Sequence, residues 1–145
     1  MILKIFPKLL QILLTFLFLS ACSILPPAED CGGGTSPDRD ALEEYFADLQ
    51  LLGRTTDQSE NEGPEVGRIF QPTDELAIQA GSNREQTVRL CIFESKPAGE
   101  IVFDQTYKLS TGEDVIQLGS FEEGPYVIRV FTNGVLVHNF QFLIR

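Results

Sequence analysis

The sequence has no tryptophan, one histidine, one methionine and three cysteines. Each scarcity excludes something. The single histidine, His138, stands without a recognisable nucleophile motif, so it cannot define a catalytic triad. Zinc sites take three or four His or Cys ligands as a rule, and no Cys-x-x-Cys is present. Basic residues are also few, 11 against 21 acidic ones, giving a net charge of -10. Nucleic acid needs Lys and Arg against its phosphates, and anionic lipid needs a basic patch, so both are poor matches for this chain. The only glycine tract, Gly32-Gly33-Gly34, follows no expected strand and precedes no Lys-Ser/Thr pair, so it does not cradle phosphate. A non-enzymatic protein without metal or cofactor is the expectation.

What is present begins at the N-terminus. Residues 1–8 carry Lys4 and Lys8 and no acid, and an apolar run follows from Leu9 to Leu19. Leu19, Ser20, Ala21 and Cys22 come next, and the short side chains of Ser20 and Ala21 suit a peptidase groove that excludes bulk. This charge, apolar run and Leu-Ser-Ala-Cys box resembles the signal of bacterial lipoproteins. The resemblance implies cleavage after residues 1–21, a thioether lipid on Cys22 and acylation of the new N-terminus. More than one chain gives stable anchoring, because each buried CH₂ contributes about 0.8 kcal/mol. An ordinary secretory signal and an uncleaved membrane helix are the alternatives. Against the helix, Leu9–Leu25 is short for a span, contains Gln11, Thr15, Ser20 and Ser23, and ends at Pro26-Pro27. Loss of Lys4 and Lys8 would take the charge to -12. Ser23, where lipoproteins retained at the inner membrane often carry Asp, leans towards the outer membrane, facing the periplasm.

The mature chain divides by composition. Residues 22–36 read as a lipidated tether, stiffened by Pro26-Pro27 and loosened by the glycines. Residues 37–52 read as an amphipathic helix. Ser36 can cap it, Pro37 suits its first position, and Leu42, Tyr45, Phe46, Leu49 and Leu52 form an apolar stripe. Gly53 is a plausible stop. Residues 53–66 are polar and aperiodic and read as an acidic loop. Asp57, Glu60, Glu62 and Glu65 could offer oxygens to Ca²⁺, but their spacing is not that of an EF-hand, and a solvated linker is the plainer reading.

From Gly67 the period becomes two. Val88, Leu90 and Ile92 share one face against Arg89, Cys91 and Phe93. Ile101, Phe103, Tyr107 and Leu109 share a face against Asp104, Thr106 and Lys108. His138 has the phase of Leu136 and Phe140 unless a bulge intervenes, and reads as a packed or edge residue. Gly-rich and Pro-rich breaks separate about seven runs, and Asn133-Gly134 between two apolar runs signals a type I′ hairpin. Mostly β, an antiparallel β-sandwich over 67–145, is the fold expected.

Residues 119–144 resemble the C-terminal half of bacterial immunoglobulin-like or fibronectin-III-like domains. Gly124 and Tyr126 lead into a long strand, Asn133-Gly134 turn it, and Phe140 and Phe142 alternate in the last strand. The resemblance implies a tyrosine corner at Tyr126, its hydroxyl bonded back to main chain. Without tryptophan, the Cys-Trp-Cys signature of antibody domains cannot be built.

With Cys22 given to lipid, Cys31 and Cys91 remain. In an exported protein they could pair, or both could stay free with Cys91 as a small buried hydrophobe. Glu122-Glu123 precede Gly124 and could in principle serve glycoside chemistry, but adjacent acids at a turn are generally solvated. The function expected is binding or assembly with a protein partner, through the sandwich or the helix, on a lipid-anchored envelope protein. The alternatives are an accessory enzyme or glycan-binding protein of the envelope, disfavoured by the missing tryptophan, and a Ca²⁺ or small-ligand sensor at residues 57–65.

Overall fold

The computed structural model describes residue 31 and residues 36–54, 65–66, 68–96 and 99–145. The expected signal, Cys22, most of the tether and the Asp57, Glu60 and Glu62 cluster lie outside these residues.

A short helix, α1 (Arg39–Tyr45), precedes nine strands. They are β1 (Phe46–Arg54), β2 (Glu65–Val66), β3 (Ile69–Phe70), β4 (Glu75–Ser82), β5 (Gln86–Glu94), β6 (Ile101–Leu109), β7 (Gly112–Gly119), β8 (Gly124–Thr132) and β9 (Val135–Ile144). Seven are long, and β2 and β3 have two residues each. One sheet has the order β2-β1-β4-β7, the other β3-β9-β8-β5-β6. Only the β3–β9 contact is parallel. The chain crosses between sheets after β2, β3, β4, β6 and β7.

The period-two faces meet between the sheets. Leu76, Ile78 and Ala80 of β4 oppose Val88, Leu90 and Ile92 of β5 and Ile128 and Val130 of β8, all buried. One end of this core is aromatic: Tyr126 stacks on Phe142 at 5.3 Å, and Phe121 and Phe70 meet Phe142 edge-on. Offset and edge-on rings favour their quadrupoles as well as burying area. The fold is an immunoglobulin-like antiparallel β-sandwich.

Three expectations are corrected. The first concerns residues 37–52, of which only Arg39–Tyr45 are helical. The N-cap is Asp38, whose carboxylate accepts from Ala41 N at 3.0 Å, so Ser36 and Pro37 lie ahead of the helix. At its other end the carbonyls of Glu43, Glu44 and Tyr45 accept from Asn83, and Tyr45 O also accepts from Gln86 Nε2. With its orphan carbonyls satisfied from the β4–β5 turn, the helix can stop without a glycine. Phe46 onward pairs with β4 along its whole length, which buries Phe46, Leu51 and Leu52. Leu51, off the helical stripe, is 3% exposed. The stripe at spacing three and four also satisfied a strand, and the sheet partner decided between them.

The second correction follows: the sandwich starts at Phe46, not at residue 67, and Gly53 is interior to β1. The Phe70 ring lies where a Gly53 Cβ would stand, so glycine here serves a close approach rather than a stop. Glu65, expected in the loop, is in β2. The third correction concerns Ile101. A bulge puts Ile101 opposite Phe93 while Phe103 stays opposite Ile92, so Ile101 turns to the outer face and is 54% exposed. One extra residue flips the phase of everything beyond it.

Candidate functional site

Two polar sites are built on this frame. The first lies on the outer face of the five-stranded sheet. Alternation sends Leu90 and Ile92 inward, so Cys91 points out, where it is joined to Cys31 in a disulfide with Cα atoms 5.7 Å apart. Neighbouring strands supply charges at the same level. Arg89 of β5 forks onto Asp104 of β6, both contacts at 2.9 Å, and also reaches Cys31 Sγ at 3.5 Å. Arg129 of β8 donates to Cys31 O at 3.1 Å. The Arg89 guanidinium holds the Asp104 carboxyl below its ordinary pKa. Cys31, Cys91 and Asp104 bring three potential metal-ligand atoms within 4.8 Å of one another. Both sulfurs are consumed by their mutual bond, and the carboxylate is claimed by a cation, so the chemistry here is that of a staple.

The second site is the open side of the sandwich between β1 and β9. Among the described residues, β2 pairs with β1 only at Leu52 and Gly53, and β3 pairs with β9 only at Leu143 and Ile144. Asp38 N donates to Leu136 O and ties α1 across the far end. What remains open is a groove of about 400 Å³, walled by Leu49–Leu51 on one strand and His138–Gln141 on the other, with Arg68 beside them. His138 is half-buried and lies edge-on to Phe140 at 4.5 Å. Burial first, and Arg68 second, hold its imidazole below the ordinary value. Asn139 pairs with Arg129 and so takes the outer face, opposite His138; its Oδ1 is enclosed and has no hydrogen-bond partner among the described residues.

His138 reaches this groove because of a bulge. Phe131 pairs with Leu136, but Val130 pairs with His138, so Val137 is the extra residue and both Leu136 and Val137 are buried. His138 then shares the inward face of Val130. The sequence pattern allowed for such a bulge but could not place it.

The remaining sequence-marked residues are structural. Tyr126 Oη donates to Glu122 O at 3.0 Å, closing a corner between β7 and β8. Gly124 has φ 156°, a backbone angle that side chains rarely adopt and glycine takes freely. Asn133 and Gly134 have φ 48° and 81°, both positive, as a type I′ turn requires. Glu122 and Glu123 are exposed beside the corner. One buried network had no sequence signal: Thr132 Oγ1 donates to Gln86 Oε1 at 2.6 Å, and Gln86 Nε2 donates to Ser82 Oγ and Tyr45 O. It fixes the end of α1 to three strands, and only contact across the sheets could reveal it.

No protein-family profile matches the chain, and no curated protein matches it. Among solved structures, an immunoglobulin-like protein from Pseudomonas aeruginosa is similar over 70% of this chain and 95% of its own, at 11% identity and a TM-score of 0.44. A beta-D-glucoside glucohydrolase from Trichoderma reesei is similar over 69% of this chain at 13% identity and a TM-score of 0.35. This chain spans 18% of that enzyme's length. Among the described residues no helix is long and apolar enough to cross a membrane.

Proposed function

We propose that this protein is a lipid-anchored binding or assembly module of the bacterial cell envelope, non-enzymatic, held by Cys22 at the outer membrane and presenting its sandwich to a protein partner in the periplasm. The observation that carries the reading is the N-terminal pattern, a charged start and apolar run ending in Leu19-Ser20-Ala21-Cys22. The Cys31–Cys91 disulfide supports it, because such bonds persist in oxidising compartments.

The experiment has two arms. Intact mass of the protein extracted from membranes should show cleavage before Cys22 and added acyl chains, and Cys22→Ala should release the protein into the soluble fraction. Crosslinking in native membranes should then recover a specific protein with the anchored chain. A membrane-bound Cys22→Ala variant sinks the anchor, and repeated crosslinking that recovers nothing sinks the partner.

A further inference from the structure

The groove between β1 and β9 differs in charge from the rest of the molecule. The chain carries 21 acids and 11 bases. Other concave surfaces follow that mixture: Glu75 accompanies Arg54 on the outer face of β1, β4 and β7, and Glu85 accompanies Lys108 at the β5–β6 end. The β1–β9 groove is lined by Arg68 and His138 and by no acid. Its walls offer Leu49, Leu51 and Phe140 to apolar side chains, and Gln50 and Gln141 line it as well, the Gln50 amide donating to Asp48 Oδ2 at 2.7 Å. Its two long walls are strand edges that no described residue pairs over this stretch. An extended peptide satisfies such edges through its main chain, with alternate side chains entering the groove.

We infer that this groove binds an extended segment of another protein, one that places a carboxylate side chain between Arg68 and His138. The inference deepens the partner reading above and rests on it for the partner's existence. Charge complementarity selects the occupant: a lysine at that position would meet the Arg68 guanidinium, and a carboxylate would pair with it and favour the charged form of His138. Glu43 of α1 and Asp48 of β1 line an adjoining hollow that shares Leu49 and His138, and the Asp48 carboxylate is held by Gln50 at 2.7 Å. A bound carboxylate would stabilise the imidazolium, so His138 should titrate at higher pH in the complex.

His138 is the only histidine, so its ring signals in NMR are unambiguous. The full chain, held in lipid nanodiscs with labelled histidine, is titrated with two synthetic peptides of alternating valine and threonine. One carries glutamate at its centre and the other lysine. The glutamate peptide should shift the His138 ring signals and raise its titration midpoint, and the lysine peptide should do neither. Arg68→Glu should weaken the glutamate peptide about tenfold and improve the lysine peptide, as reversing one edge charge does. Arg68 is exposed and supports β9 through its backbone carbonyl, so that variant keeps the fold. The inference fails if neither peptide moves His138, if both peptides move it equally, or if Arg68→Glu leaves the affinities unchanged. Crosslinking in native membranes separates the two readings. A partner recovered equally well by Arg68→Glu keeps the module and sinks the groove. A groove that takes the glutamate peptide while no partner is recovered keeps the groove and sinks the module.

Discussion

At the scale of single residues, position in the sheet decides what a polar group does. Tyr126 and Thr132 are both in β8, both buried, and both spend a hydroxyl on a specific acceptor. Tyr126→Phe removes one such bond and should lower stability by about 1 kcal/mol, measured by urea unfolding. Thr132→Val should cost about 1–3 kcal/mol in the same assay, because Gln86 Oε1 would lose its donor in a dry site. His138 gives a pH dependence. Burial and Arg68 depress its folded-state pKa below the ordinary 6.5, so the unfolded chain binds the proton more readily. Its contribution to stability is therefore full above 6.5 and is lost as pH falls below that value towards the folded-state pKa. Melting temperatures of the wild type and His138→Gln should converge as the pH falls through this range; a constant gap would contradict the depressed pKa. Asp104 acts in the same direction at lower pH, its pKa being depressed by the hydrogen bond from Arg89.

At the scale of elements, β1 is the informative case. Leu42, Tyr45, Phe46, Leu49 and Leu52 describe a helical face, and Phe46, Leu51 and Leu52 are what the sheet buries. The two readings make opposite demands on Leu49 and Leu51. Leu51→Ala should cost about 2–5 kcal/mol, as core truncations do. Leu49→Ala, at a half-buried groove position, should cost clearly less; the reverse order would restore the long helix. Gly53→Ala drives a methyl group into the Phe70 ring and should destabilise the β1–β3 corner, read as a fall in melting temperature. Local pattern could not settle β1, because its hydrogen-bond partners are in β4, more than twenty residues away. Strands β4, β5 and β8, by contrast, were readable at once: their alternation is uninterrupted where they are central in a sheet. Ile101 and His138 were misphased or left open for one reason, a bulge, which a one-dimensional pattern does not register.

At the scale of the whole molecule, the staple matters most. Cys31 and Cys91 are 60 residues apart, and a loop of that length contributes about 4 kcal/mol in the chain-entropy model. A small sandwich has little core to spare for such a loss. Cys31→Ser with Cys91→Ser should lower stability by about that amount, and intact mass should rise by two hydrogens when the wild-type chain is reduced. An unchanged mass would show that the thiols are free. The sequence brought the two cysteines forward by elimination and left pairing open, since nothing local joins residue 31 to residue 91.

The sequence by itself determined the alternating faces of the central strands, the Asn133-Gly134 turn and the Tyr126 corner. Each depends on a period or a backbone preference contained within a few residues. It also contains the Leu-Ser-Ala-Cys pattern on which the proposed anchor rests. Tertiary contacts were needed to show that Phe46–Arg54 is a strand, that Cys31 meets Cys91, and that Arg68 and His138 line one groove. Those outcomes depend on partners brought together by sheet pairing and by bulges, and their free energy lies in contacts that no short window of the chain contains.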